Sequence, residues 1–108
     1  MTFYVKQNDT SPAMLATLQD ASLAAVDIRG ASVRFHMRPI GSTQVTVDAA
    51  ATIVDALAGE VRYDWQAADT ATVGAYQAEF EVTYAGGAII ETFPNDAYIR
   101  VQIIDDIT

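Results

Sequence analysis

The sequence predicts an all-β fold, two antiparallel sheets packed face to face in a sandwich of about seven to nine strands. Three observations carry this. β-Branched residues dominate, with ten Val, nine Ile and eleven Thr against four Leu, and side chains branched at Cβ sit more easily on a pleated strand than in a helix. Apolar and polar residues alternate with a period of two in several stretches, which gives each stretch one face for a core and one for water. Turn residues punctuate the chain at roughly 8- to 12-residue intervals. With 108 residues, the chain has room for one such domain, over residues 1–108.

In chain order, Thr2 to Lys6 reads as an opening strand and Asn8 to Pro12 as turn chemistry. Met14 to Leu18 is a short apolar piece ending in Gln19 and Asp20. It reads either as a short helix or as a strand. The strand is preferred, with Ala16 and Leu18 set against Ala24 and Val26 around a turn at Asp20 to Ser22. In Ala31 to Arg38, Val33, Phe35 and Met37 point one way while Arg34, His36 and Arg38 point the other. Gln44 to Val47 and Ala50 to Ala56 are expected as two more strands separated by Asp48 and Ala49, in an alanine-rich stretch that blurs the pattern.

Ala58, Gly59 and Glu60 form the turn into a clearer strand, where Val61, Tyr63 and Trp65 oppose Arg62, Asp64 and Gln66. The longest alternation sets Tyr76, Ala78, Phe80, Val82 and Tyr84 against Gln77, Glu79, Glu81 and Thr83. Gly86 and Gly87 turn the chain into Ala88 to Phe93, Pro94 and Asn95 interrupt pairing, and Ala97 to Ile104 closes the fold. Asp69 to Tyr76 places an acidic residue and a bend before an inward tyrosine at the start of a strand. That resembles the tyrosine corner of immunoglobulin-like sandwiches, and the fold class is read as such. Two residues on, where antibody domains carry a bridging cysteine, stands Ala78.

Composition narrows function. A net charge of −8 disfavours a nucleic-acid partner, because attraction to a phosphate backbone rests on Lys and Arg displacing counterions. The absence of cysteine excludes disulfides and thiolate chemistry. One His36 and one Lys6 leave little for general-base or Schiff-base catalysis, and no nucleophile motif surrounds a Ser or Thr. No catalytic, cofactor or metal residues are assigned, and an enzyme is not expected. No apolar run approaches the roughly 20 residues of a membrane span, and no secretory leader opens the chain. Membrane insertion and export are therefore not expected.

Asp105 with Asp106, and Asp96 with Asp64, are the only carboxylate pairs that invite a metal, and none has a calcium-loop spacing. His36, between Arg34 and Arg38, reads as a surface or interface residue whose arginine neighbours meet Glu79, Glu81 or Asp64 across strands. Trp65 shares a face with Val61 and Tyr63, which places it in the core rather than on a sugar-stacking platform. Tyr4, Tyr98, Ile103, Ile104 and Ile107 are read either as a fraying end or as a docking surface.

Several segments in order resemble the N-terminal domain of phage baseplate upper proteins. These are FYVKQNDTSP at Phe3 to Pro12, ASVRFHMR at Ala31 to Arg38, GEVRYDW at Gly59 to Trp65, DTATVGAYQAEF at Asp69 to Phe80 and GGAIIETFPN at Gly86 to Asn95. The resemblance spans nearly the whole chain. It implies a virion structural protein made in the host cytoplasm, a small sandwich attaching a larger tail or host-binding part through contacts with other capsid or tail proteins, as a homo-oligomer inside a symmetric assembly. Because the sequence stops at Thr108 without a stalk or receptor-binding region, the expectation is an accessory component: a head decoration or cement protein, or a small tail, neck or baseplate piece. The alternative from a different class is a carbohydrate-binding module for surface attachment, with Trp65, Tyr4 and Tyr98 as its candidate platforms.

Overall fold

A computed structural model describes residues 2–107 and arranges them as nine strands in two sheets. In order they are β1 (Thr2–Lys6), β2 (Met14–Thr17), β3 (Ser32–Pro39), β4 (Val47–Ala50), β5 (Thr52–Asp55), β6 (Glu60–Tyr63), β7 (Gly74–Thr83), β8 (Ile90–Phe93) and β9 (Ile99–Ile104). One turn of 3-10 helix, Ala67–Thr70, links β6 to β7. The larger sheet runs β1-β9-β7-β3-β4, with β8 also on β7, and the smaller runs β2-β6-β5. This pairing reproduces that of an immunoglobulin-like sandwich. β1 lies parallel to β9, which makes the larger sheet mixed rather than wholly antiparallel. Among the described residues no helix is long and apolar enough to cross a membrane.

Period-two alternation builds the core. Val33, Phe35 and Met37 of β3 and Tyr76, Ala78, Phe80 and Val82 of β7 all turn inward and are buried. From the smaller sheet come Met14, Val61 and Tyr63, and from the segment just after β6 comes Trp65. Phe35 sits at the centre: its ring stacks on Tyr63 at 4.3 Å between centroids and meets Trp65 edge-on at 5.6 Å. Such pairs add about 0.5–1.5 kcal/mol to what burial alone supplies. Trp65 is a core residue, as the parity of its strand predicted; its Nε1 is buried with no hydrogen-bond partner among the described residues.

The turn before β7 is fixed by two tyrosines. The Tyr76 hydroxyl donates to the Thr72 carbonyl oxygen at 2.6 Å, the tyrosine corner expected from the sequence. One turn earlier, the Tyr63 hydroxyl donates to Asp69 Oδ2 at 2.5 Å, and the same oxygen accepts the Gln66 N–H at 2.9 Å. Asp69 thereby ties the 3-10 turn to the aromatic core. Burial, and then the Asp69 carboxylate, push the Tyr63 phenol well above its ordinary range.

Several boundaries differ from the sequence reading. Met14–Thr17 is a strand, not a helix, but the expected partner at Ala24 and Val26 shrinks to a single bridge, Gln19 to Ala25. The turn there is held by Asp20, whose Oδ1 accepts from Ser22 Oγ and from the Ser22 and Ala24 N–H groups. The strand expected at Gln44 to Val47 instead starts at Val47 and runs to Ala50. Pairing with β3 sets that register, placing Ala49 opposite Phe35 and Asp48 opposite His36. Ala50 to Ala56 becomes Thr52–Asp55, with a bulge between Ile53 and Asp55. At its far end Gly59 adopts φ +68° where a Cβ would lie 2.7 Å from the Val26 carbonyl oxygen.

Candidate interaction surface

Two exposed regions have the shape and chemistry for contacts, and both follow from how strands are paired. The first is the outward face of the larger sheet. Residues alternating with the core set bring Lys6 of β1, Arg100 of β9, and Arg34 and Arg38 of β3 to this face, four of the six Lys and Arg in the chain. Asp48, Glu79 and Glu81 share it, so its charge nearly cancels, while the acidic excess lies elsewhere. A shallow depression of about 470 Å³ lies here among His36, Arg38, Asp48, Gln77, Glu79 and Tyr98.

The ion pairs expected on this face are redistributed. Arg34 does not meet Glu79, Glu81 or Asp64; its Nε donates to Asp48 Oδ1 at 2.8 Å and its Nη2 to the Asp48 carbonyl oxygen at 2.9 Å. His36 Nε2 lies 3.1 Å from the same carboxylate oxygen. Arg38 Nε donates to Gln77 Oε1 instead. The reason is that β4, on the open side of β3, offers a carboxylate within reach of two consecutive outward positions. The Arg34 hydrogen bond, and then the charges of Arg34 and His36, hold the Asp48 carboxyl below the usual carboxylate range. Asp64, just past the end of β6, pairs with Arg62 of that strand at 3.0 Å, off line for a hydrogen bond. These exposed pairs contribute little stability.

The second region is a groove along one flank of the sandwich. β7 pairs with β8 through Phe80–Phe93 and with β9 through Ala78–Ile99. Glu79 alone separates the two positions on β7, whereas Pro94 to Tyr98 must be accommodated between them on the other strand. That surplus bulges outward, and Pro94, which has no N–H, sits where pairing stops. Facing the bulge is the free edge of β2. Between them lies a groove of about 560 Å³, walled by Leu15, Leu18, Leu23, Phe93, Pro94 and Tyr98, with Asp20 and Asp96 at its margin and no Lys or Arg. Leu15, Leu23 and Tyr98 are 64%, 75% and 45% exposed, an apolar concentration unusual for surface that meets only water. The sequence did not point to this groove.

The remaining candidates fall apart spatially. Ile103 is a core residue, Ile104 lies beside Lys6 on the sheet face, and Ile107 is 93% exposed. Tyr4 is exposed on β1, away from the groove that Tyr98 borders, and with Trp65 buried the three aromatics do not form one sugar-stacking platform. Asp105 and Asp106 follow β9, Asp96 sits in the bulge, and Asp64 follows β6 in the other sheet. Among the described residues no three His, Asp or Glu side chains gather as a ligand set.

A search of curated proteins finds no match. The family model described as the BppU N-terminal domain matches residues 2–94, which takes in β1 through β8 together with the tyrosine corner and the Asp69 turn. On that match, and with the strand order and corner geometry described above, the chain belongs to the family of the N-terminal domain of the phage baseplate upper protein, a structural domain of the virion.

Proposed function

We propose that this domain is an assembly module of the phage tail, seated at or near the baseplate, that holds neighbouring virion proteins by surface contact inside a symmetric homo-oligomer. The family match over residues 2–94 carries the reading. The surfaces support it: an apolar flank groove and a nearly charge-balanced sheet face are shapes for protein contact. The excess of acidic side chains keeps the free subunit soluble and off nucleic acid until it meets its neighbours. The cement or head-decoration roles fit this family less well than a tail position. Gold-labelled antibody against the domain, applied to intact particles, tests the reading. Label at the tail tip supports it; label on the head, or particles carrying none of the protein, overturns it.

A further inference from the structure

We infer that the flank groove is a strand-acceptor site: an extended segment of a partner protein, with apolar residues alternating with Lys or Arg, adds to the free edge of β2. This rests on the reading of the domain as an assembly module and gives that module a surface and a partner chemistry. The edge is open by topology. β2 pairs only with β6, and the Leu18 N–H already donates to the Gly59 carbonyl on the β6 side. Backbone direction alternates along an antiparallel strand, so Met14, Ala16 and Leu18 direct their backbone groups to β6, and Leu15 and Thr17 direct theirs away from it. The other wall is open too. β1 covers β9 on this flank, but β8 pairs only with β7.

Along β2, Met14 and Leu18 face the core and Leu15 faces outward, so an added strand would satisfy the free Leu15 and Thr17 groups, set its apolar side chains inward beside Leu18 and Phe93, and carry its alternate side chains outward past Leu15 toward the margin. The margin selects their sign. Asp20 and Asp96 border the groove and no cation does. Hydrogen bonds from Ser22 and Ala24 hold the Asp20 carboxyl below its ordinary range, which keeps it charged. A second copy of this chain is a poor occupant, because its own tail beyond β9 carries Asp105 and Asp106 into an acidic margin.

The test uses the intact domain, isotopically labelled, titrated with a blocked heptapeptide alternating Lys and Val, with a Glu/Val counterpart as the charge-reversed arm. The expected result is amide shifts at Leu15, Thr17, Leu23 and Tyr98, with affinity at least tenfold weaker for the Glu/Val peptide. Thr17→Pro removes an outward N–H without touching the β6 ladder and should abolish the shifts. Leu23→Arg, at an exposed position that keeps the fold, should weaken binding at least tenfold and stands in if the proline variant unfolds. No shifts at millimolar peptide, shifts confined to the larger sheet's outer face, equal affinity for both peptides, or unaltered binding by the variants overturns the inference. So does sedimentation as a dimer that blocks the groove, which gives it to a second copy. Peptide binding to a protein that labels the phage head would instead leave the groove standing and sink the tail reading.

Discussion

The contact between Tyr63 and Asp69 joins core to turn, and removing one oxygen from it isolates its worth. Tyr63→Phe keeps the ring on Phe35 at 4.3 Å and against Trp65 at 5.3 Å, so packing is conserved and only the hydroxyl is lost. That hydroxyl donates to a carboxylate at 2.5 Å, and hydrogen bonds to charged partners are worth about 1.5–3 kcal/mol. Asp69 is half-buried rather than sealed from water and keeps the Gln66 N–H, which places the loss near the lower end, about 2 kcal/mol. For a domain of this length that lowers the melting temperature by on the order of 8 °C. Asp69→Ala should cost more, because it also frees the Gln66 N–H, and the double variant little more than Asp69→Ala alone, because both changes remove the same hydroxyl–carboxylate bond. Urea unfolding followed by Trp65 fluorescence supplies the three free energies. A Tyr63→Phe variant within 0.5 kcal/mol of the parent, or losses that add in the double variant, would refute the assignment of this bond as the link.

Three further outcomes follow from the same geometry. Phe35→Ala empties the centre of the aromatic cluster at a fully buried position and should cost about 3–5 kcal/mol by chemical denaturation. Gly59→Ala should cost about 3 kcal/mol, since φ is +68° and the new Cβ meets the Val26 and Leu18 carbonyl oxygens at 2.7 and 2.9 Å; Gly86→Ala, in open space at φ +91°, should lose only about 1–2 kcal/mol. Burial and the Glu91 hydrogen bond push the Tyr84 phenol from 10.0 to about 12. A raised folded value means the stabilisation is complete below pH 10 and disappears as pH climbs towards 12, so Tyr84→Phe should flatten that part of the alkaline stability curve measured by melting.

What the sequence disclosed, it disclosed where polarity contrasts sharply. β3 and β7 alternate large apolar with charged residues, and there the inward set was legible to the residue, as was the tyrosine corner, whose partner is four residues away. Around β4 and β5, alanines offer no contrast between faces, and the register is decided by β3 and β6 rather than locally. Arg34 went to Asp48 instead of Glu81 because sequence alternation names the face a side chain occupies but not which flanking strand holds its partner. The groove was invisible for a related reason. A free edge is a property of strand order, and five residues set against one on β7 make a bulge only once both pairings are known. Trp65 was the opposite case: its parity alone placed it inside.

A density map of the intact phage tail, resolved to side chains, tests the account most directly. It should show this sandwich at the baseplate with a neighbour's strand running alongside Leu15 and Thr17; a sandwich found on the capsid, or one whose β2 edge lies open to solvent in every copy, contradicts it.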